Sequence, residues 1–195
     1  MKKLVLASNN PGKLREFQHM LAPLGIEVLT QAELGISEAE EPHVTFIENA
    51  LAKARHASRQ SGLPALADDS GICVAALQGR PGVYSARYAG DNPKSDRRNN
   101  EKLLHEMRNE ADRRAHYYCV LLLLRDADDP QPIIAEGEWH GEIAHEERGS
   151  GGFGYDPLFW LPDLGRMSAE LAPKEKHEIS HRGKAMRVLL ERLSN

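Results

Sequence analysis

Two apolar runs in the second half of the chain constrain the fold most: AHYYCVLLLL at residues 115–124 and PIIAEGEW at residues 132–139. The polar link RDADDPQ joins them, which predicts two paired central strands. Elsewhere, strand and helix patterns are mixed without the strict alternation typical of a doubly wound parallel sheet. The chain is therefore predicted to form an α/β fold with a mixed β-sheet flanked by helices.

The first half adds further strand and helix patterns. A short buried strand at residues 2–7 precedes a helical pattern that begins after a turn, and a longer helix is predicted from Thr45, which forms a capping box with Glu48. The segment PALADDSGICVAAL, residues 64–77, predicts strand, turn, strand. No repeat or linker marks a boundary, so residues 1–195 are predicted to be a single domain.

Charge and composition restrict the partners. A formal net charge of -4 does not favour a nucleic acid polymer, which usually binds a basic patch or stripe. The two cysteines lack metal-ligand spacing and are typical of buried thiols in a reducing compartment. The apolar start ends too early for a signal peptide, and the run at 119–124 is too short for a bilayer. We expect a cytoplasmic protein with no membrane partner.

The segment SNNPGK leads from the first strand into a helix, where backbone N–H groups and the helix dipole favour an anion. Gly12 allows close approach of a phosphate, and Lys13 brings a mobile positive charge. The alternative is an ordinary turn, since Asn, Pro and Gly are common turn residues. It is not the usual P-loop, which needs a glycine at position 7 and a hydroxyl at position 14.

Two consecutive carboxylates, Asp68 and Asp69, are predicted to lie where a strand meets a turn. Such carboxylates suit Mg²⁺, which takes one or two of them and completes its shell with water and phosphate oxygens. The alternative is again a turn of the ordinary kind. The acidic loop with Glu38, Glu40 and Glu41 adds candidate ligands, although such runs are usually solvated.

Two later motifs carry aromatic and basic groups. GGFGYDP, residues 151–157, fits an aromatic platform for a nucleobase, or else a loop whose aromatics pack into the core. KHEISHRGK, residues 176–184, places histidines and cations around a helix start, where they can donate hydrogen bonds to a base oxygen. Taken alone, this second motif is typical of a solvated helix face.

In this order and spacing, the motifs resemble the inosine/xanthosine triphosphate pyrophosphatase family. The likeness runs nearly end to end, through ASNNPGK, TFIENA, ADDSG, GRPGVYSARYAG, GGFGYDPLF, AEL…EK and ISHR. It implies an elongated mixed α/β fold, a homodimer, and Mg²⁺-dependent hydrolysis of non-standard purine nucleoside triphosphates (ITP, dITP, XTP and dXTP) to the monophosphate and pyrophosphate. Such hydrolysis prevents incorporation of these nucleotides into DNA and RNA.

The resemblance also implies roles for single residues. Asp69 is expected to be the proton acceptor and a metal ligand. The residues implied to bind substrate are Ser8, Asn9, Asn10, Pro11, Gly12, Lys13, Ser70, Phe153, Gly154, Tyr155, Asp156, Lys176, His181 and Arg182. Glu40 is implied as the second metal ligand. Relatives commonly have a Thr-Gly type turn where this chain has Pro42-His43, which leaves the choice between Glu40 and Glu41 open.

Two other functions fit the same sequence. One is a nucleotide-binding regulatory module that keeps the fold without the chemistry, which the presence of Lys13, Asp69 and the acidic loop disfavours. The other is a house-cleaning pyrophosphatase for modified pyrimidine nucleotides. Pyrophosphate release across a panel of bases distinguishes all three.

Overall fold

The structure, a computed structural model, describes residues 1–194. Its sheet strands are β1 (Lys3–Leu6), β2 (Glu27–Thr30), β3 (Ala65–Val74), β4 (Arg114–Leu124), β5 (Ile133–Ile143), β6 (Phe159–Leu161) and β7 (Arg166–Met167). Its α-helices over the same residues are α1 (Pro11–Leu21), α2 (Phe46–Ser61), α3 (Asp96–Glu106), α4 (Pro173–Ile179) and α5 (His181–Ser194). Short 3-10 helices lie between several of these elements, among them Gly82–Arg87 and Ser168–Glu170.

The strands form one seven-stranded sheet in the order β2-β1-β3-β4-β5-β6-β7. Strand β1 is parallel to β2 and β3, whereas β6 is antiparallel to β5 and β7. The prediction of a mixed sheet flanked by helices is therefore confirmed. So is the prediction that the two long apolar runs form neighbouring strands, because β4 and β5 are adjacent near the middle of the sheet.

The chain divides into two compact units, and three strands contribute residues to both. Over the described residues, the first unit holds residues 1–69, 120–136 and 185–194, and the second holds residues 70–119 and 137–184. The first unit buries apolar residues of β1 together with Phe17 and Leu21 of α1. The second has its own core, in which aromatic and aliphatic side chains from Ile72 to Leu171 pack together. The single domain stays a prediction.

The prediction of a strand, a turn and a strand at residues 64–77 is wrong. Strand β3 continues through the Asp-Asp-Ser-Gly segment without a turn. The apolar residues on both sides of this segment are fully buried, and burying them in a continuous strand outweighs the turn preference of its polar residues. Asp68 and Asp69 therefore lie within a strand, where consecutive side chains point to opposite faces of the sheet.

The helices predicted after the N-terminal turn and after Thr45 are confirmed as α1 and α2, with Thr45 Oγ accepting from the Glu48 N–H at 3.3 Å. Residues 168–179 do not form one continuous helix: a 3-10 helix covers Ser168–Glu170, and α4 begins only at Pro173. Proline restricts the preceding residue to extended conformations, and Ala172 is extended with ψ 145°. Within the described residues, no helix is both long and apolar enough to span a bilayer.

Candidate active site

The turn before α1 is organised by its own side chains. Asn10 is the N-cap of α1, and its Oδ1 accepts from the N–H groups of Gly12 at 2.8 Å and Lys13 at 3.1 Å. Pro11 occupies the first helical position and has no N–H to offer. Ser8 Oγ accepts from the Asn10 N–H at 3.2 Å. The two N–H groups expected to meet a phosphate thus donate to Asn10, and an anion at this corner would have to take the place of the Asn10 oxygen as their acceptor.

Lys13 projects from the first turn of α1 to a buried carboxylate of β3. Its Nζ lies 2.5 Å from Asp68 Oδ1, and the Asp68 side chain is fully buried. An ammonium group in this position balances a carboxylate that burial would otherwise destabilise. Lys13 therefore lies beside β3, with Asp68 as its counter-ion.

Asp69 pairs with a different lysine, Lys53 of α2. The Lys53 ammonium donates to Asp69 Oδ1 at 2.7 Å, to the Asp68 carbonyl oxygen at 2.9 Å and lies 3.0 Å from Glu41 Oε1. These three acceptors match the three donors of a lysine ammonium group. Lys53 thus joins Asp69 and the acidic loop at a single nitrogen.

Burial and charge shift the ionisation of this group. Burial raises the pKa of the Asp69 carboxyl above its usual value, and the positive charge of Lys53 opposes this shift without cancelling it. Burial by itself lowers the pKa of Lys53, but the carboxylates of Asp69 and Glu41 outweigh it and raise that pKa above its usual value. Lys53 therefore stays protonated at neutral pH, and Asp69 is a stronger base than an exposed aspartate.

One oxygen of Asp69 has no hydrogen-bond partner among residues 1–194. Within the described residues, Asp69 Oδ2 is buried and makes no hydrogen bond, although Oδ1 binds Lys53. A buried carboxylate oxygen without a partner is costly and is the kind of ligand that Mg²⁺ prefers. The described residues contain no group of three or more His, Cys, Asp or Glu side chains suited to a metal ion. Mg²⁺ needs only one or two carboxylates when water and phosphate supply its other ligands, so the residues present fit this ion.

The structure distinguishes the three glutamates of the acidic loop. Glu38 Oε1 accepts from Asn9 Nδ2 at 3.0 Å, which connects this loop to the turn before α1. Glu40 is exposed, whereas Glu41 is half-buried and shares Lys53 with Asp69. Of the two residues left open by the sequence, Glu41 is the one that the structure joins to Asp69.

A second group of predicted residues lies in the second compact unit. Arg182, at the start of α5, is buried, and its Nη2 donates to Ser70 Oγ at 3.2 Å. Ser70 follows Asp69 directly in β3. His181 is also buried, and its ring stacks on that of Tyr117 with 4.7 Å between centroids. The first two residues of α5 are thus held by different partners: His181 stacks on the ring of Tyr117, and Arg182 donates to Ser70.

The loop at residues 151–157 presents one of its two aromatic rings. Phe153 is 43% exposed, with Lys176 Nζ 5.0 Å and the Arg182 guanidinium 5.9 Å from its ring centroid. Tyr155 is buried in the core instead, and its hydroxyl donates to the Ser85 carbonyl oxygen at 2.8 Å. Phe153 is therefore the ring that a planar ligand can stack on, with two cations beside it.

Asp156 holds this loop together. It is buried, accepts from the Phe153 N–H at 2.8 Å and from Ser168 Oγ at 2.8 Å, and forms an ion pair with Lys176. Gly152 lies so close that a Cβ there would be 2.0 Å from Asp156 Oδ2. In this structure Asp156 therefore fixes the backbone around Phe153 and the position of Lys176.

The sequence interpretation missed Lys53. A signal for it was present, because Ala50, Lys53, Ala54 and Ala57 have the spacing of one helix face, and the three alanines are fully buried. A lysine within an apolar helix face needs a buried acceptor, and Asp69 supplies one.

Comparison with known proteins decides the family. The Ham1 family model matches residues 4–192. The chain belongs to the Ham1 family.

Curated relatives of this Ham1 chain share one name. A protein of Nitrosomonas europaea named dITP/XTP pyrophosphatase is 64% identical over 194 residues, which cover 100% of this chain and 95% of the relative. A protein of Ralstonia nicotianae with the same name is 65% identical, covering 99% of this chain and 97% of the relative. A solved HAM1 protein from Coxiella burnetii has a TM-score of 0.94 at 48% identity, covering 100% of this chain and 99% of that one.

Proposed function

We propose that this Ham1 chain is a Mg²⁺-dependent pyrophosphatase that hydrolyses non-standard purine nucleoside triphosphates, dITP, ITP, XTP and dXTP, to the monophosphate and pyrophosphate. The observation that carries the proposal is Asp69, a buried carboxyl with a raised pKa: one of its oxygens binds Lys53, and the other has no partner in the part of the chain that the structure describes. The dITP/XTP pyrophosphatase name of the relatives at 59–65% identity supports the same activity.

Asp69 is the general base in this proposal. Its Oδ2 accepts a proton from water as the water oxygen bonds to the α phosphorus. The bond between that phosphorus and the bridging oxygen breaks, and pyrophosphate leaves with the electron pair. Lys53 holds Oδ1 and so keeps Oδ2 in a fixed direction, which is what proton transfer from a positioned water requires.

The phosphates are expected to meet the corner before α1. Lys13 supplies the charge that stabilises the departing pyrophosphate, and the N–H groups of Gly12 and Lys13 exchange the Asn10 oxygen for phosphate oxygens. Ser8, Asn9 and Pro11 shape this turn. Asn9 also ties it to Glu38 of the acidic loop.

Asp69 and one glutamate of the acidic loop would hold Mg²⁺. We favour Glu41 over Glu40, because Glu41 shares Lys53 with Asp69. When bound, the ion would neutralise phosphate charge and lower the pKa of a nearby water.

The base is expected to stack on the exposed ring of Phe153. Lys176, His181 and Arg182 are the donors assigned to its oxygen, with Ser70 beside the substrate and with Gly154, Tyr155 and Asp156 supporting the loop. Hypoxanthine and xanthine carry an oxygen acceptor where adenine carries an amino donor. Donors at this position therefore favour the first two bases and leave adenine mispaired.

Three further proposals concern the whole protein. The family match spans nearly all of the chain and residues of both compact units, which supports one pyrophosphatase domain. The family resemblance supports a homodimer, which light scattering of the purified protein tests. The reducing environment expected for the two cysteines supports a cytoplasmic location.

The test is pyrophosphate release with Mg²⁺ across ITP, dITP, XTP, ATP, GTP and modified pyrimidine triphosphates. The proposal expects turnover of the first three well above that of ATP and GTP. Preference for a modified pyrimidine would support the alternative pyrophosphatase, and nucleotide binding without any pyrophosphate release would support a regulatory module.

A further inference from the structure

Two side chains of α3 hold the backbone of Gly154 from both sides. The Gly154 N–H donates to Asp96 Oδ2 at 2.8 Å, and the Gly154 carbonyl oxygen accepts from Asn100 Nδ2 at 3.1 Å. Asp96 and Asn100 are four residues apart on the same helix and therefore share a face. We call this pair the Gly154 clamp. Both polar groups of a single loop residue are thereby fixed by one element.

The helix that carries the clamp is itself anchored. Ser95 caps α3, and Asn99, one residue from Asn100, accepts from the Ala89 N–H at 2.8 Å and donates to the Ser85 carbonyl oxygen at 3.3 Å. The next loop residue, Tyr155, donates to the same Ser85 oxygen. The clamp therefore ties the loop to a part of the second unit that is held at several points.

Gly154 needs such a tether. Its φ is +62°, in the left-handed region that glycine adopts readily, and a glycine loses more conformational freedom on ordering than other residues. Phe153 precedes it and exposes its ring. Because the peptide between them contains the Gly154 N–H, the hydrogen bond to Asp96 fixes the backbone from which that ring projects.

We infer that Asp96 and Asn100 are positioning residues for base selection. They act through Gly154: by fixing its N–H and its carbonyl group, they hold Phe153 in the orientation that receives the base. This inference rests on the proposed function. Neither residue takes part in the proton transfer assigned to Asp69.

The clamp allows a test with two isosteric changes that have opposite expected outcomes. Asn100→Asp replaces the donor that faces the Gly154 carbonyl with an oxygen, so the hydrogen bond is lost and two acceptors face each other. Asp96→Asn keeps an acceptor oxygen for the Gly154 N–H. A role in folding alone would appear in the melting temperature, whereas a positioning role appears in KM and in the preference between bases.

Steady-state kinetics with ITP and ATP supply the measurement. Asn100→Asp should raise KM for ITP about tenfold, the factor expected for the loss of one hydrogen bond, and lower the ITP to ATP ratio of kcat/KM. Its kcat should stay within about twofold, because the loss is of binding and not of chemistry. Asp96→Asn should change neither KM for ITP nor the ITP to ATP ratio of kcat/KM by more than about twofold. If Asn100→Asp does not fold, Asp96→Ala carries the same expected loss and is compared with Asp96→Asn.

Glu101→Gln is the matched control on the same helix, since it removes only an exposed ion pair with Arg97. It should leave KM and the base ratio unchanged. Unchanged KM and base ratio in Asn100→Asp and Asp96→Ala would overturn the inference, as would a loss of kcat and melting temperature with KM intact. If the wild-type protein releases no pyrophosphate from ITP, the proposed function fails first, and the inference fails with it.

Discussion

At the scale of single residues, Lys53 determines how the acidic groups are arranged. Its ammonium group is within 3.0 Å of oxygens from Asp68, Asp69 and Glu41. Without this nitrogen, the carboxylates of the buried Asp69 and the half-buried Glu41 would lie near each other with no counter-charge between them. Lys53 thus favours the ionised form of Asp69, which the proposed role as a base requires, although burial disfavours its charge.

We predict that Lys53→Met costs about 3 kcal/mol of unfolding free energy at neutral pH, the typical result of removing one partner of a buried ion pair. The pKa of Lys53 is raised above the ordinary 10.5, so its contribution is complete below that pH and is lost as pH rises through the raised value. Urea unfolding of both proteins at pH 7 and pH 11 measures this. Lys3→Met, which removes an exposed ion pair with Glu27, is the control and should cost little.

Arg182 is expected to govern base preference. Arg182→Ala removes a guanidinium that can donate to the base oxygen, so the ratio of kcat/KM for ITP to that for ATP should fall by about tenfold. Arg192→Ala, on the same helix but donating to the Ile134 carbonyl oxygen in the first unit, should leave that ratio unchanged. An unaltered ratio in Arg182→Ala would remove this residue from base recognition.

At the scale of elements, local sequence predicts much of the fold but less of the candidate site. The capped helix after Thr45 and the long strands β4 and β5 were predictable, because their patterns are long and their ends carry turn residues. The continuation of strand β3 through Asp68 and Asp69 was not predictable. Aspartates favour a turn, and these two lie in a strand because lysines distant in sequence neutralise their carboxylates. Strands β6 and β7 are too short for a recognisable pattern.

The loop at residues 151–157 depends on a close approach that only glycine allows. We predict that Gly152→Ala raises KM for ITP and lowers the melting temperature, because its Cβ would collide with Asp156 Oδ2 and displace the acceptor of the Phe153 N–H. Gly165→Ala is the control: its φ of +62° resembles the +76° of Gly152, but a Cβ there meets nothing within 4 Å. Gly165→Ala should lose only about 1 kcal/mol of unfolding free energy, from the strain of a positive φ, with KM unchanged.

At the scale of the whole molecule, a residue's role depends on contacts that sequence spacing does not reveal. The sequence placed Asp68 and Asp69 together as one carboxylate pair, whereas the structure gives them separate lysines. It treated Phe153 and Tyr155 alike, whereas one ring is exposed and the other is buried. Residues close in sequence were easily grouped, but long-range partners decide what each side chain does.

Buried tyrosines make stability depend on alkaline pH. Burial raises the pKa of Tyr88, Tyr117 and Tyr155, so the folded protein keeps their protons while the unfolded chain begins to lose them near pH 10. A raised folded pKa gives stability that is present below pH 10 and is lost as pH rises further. Urea unfolding at pH 8 and pH 11 should show this decline, and Tyr155→Phe should weaken the dependence. Tyrosine ionisation at 295 nm well before unfolding would contradict it.

Pyrophosphate release from ITP by Asp69→Asn, compared with the wild type in the presence of Mg²⁺, tests the central claim most directly. Asparagine has nearly the same shape but is not a base at neutral pH, so the variant should fold and lose about 10²- to 10⁴-fold in kcat. Asp163→Asn, at an exposed position, is the matched control and should retain full activity. Wild-type rates of pyrophosphate release by a folded Asp69→Asn variant would contradict the account.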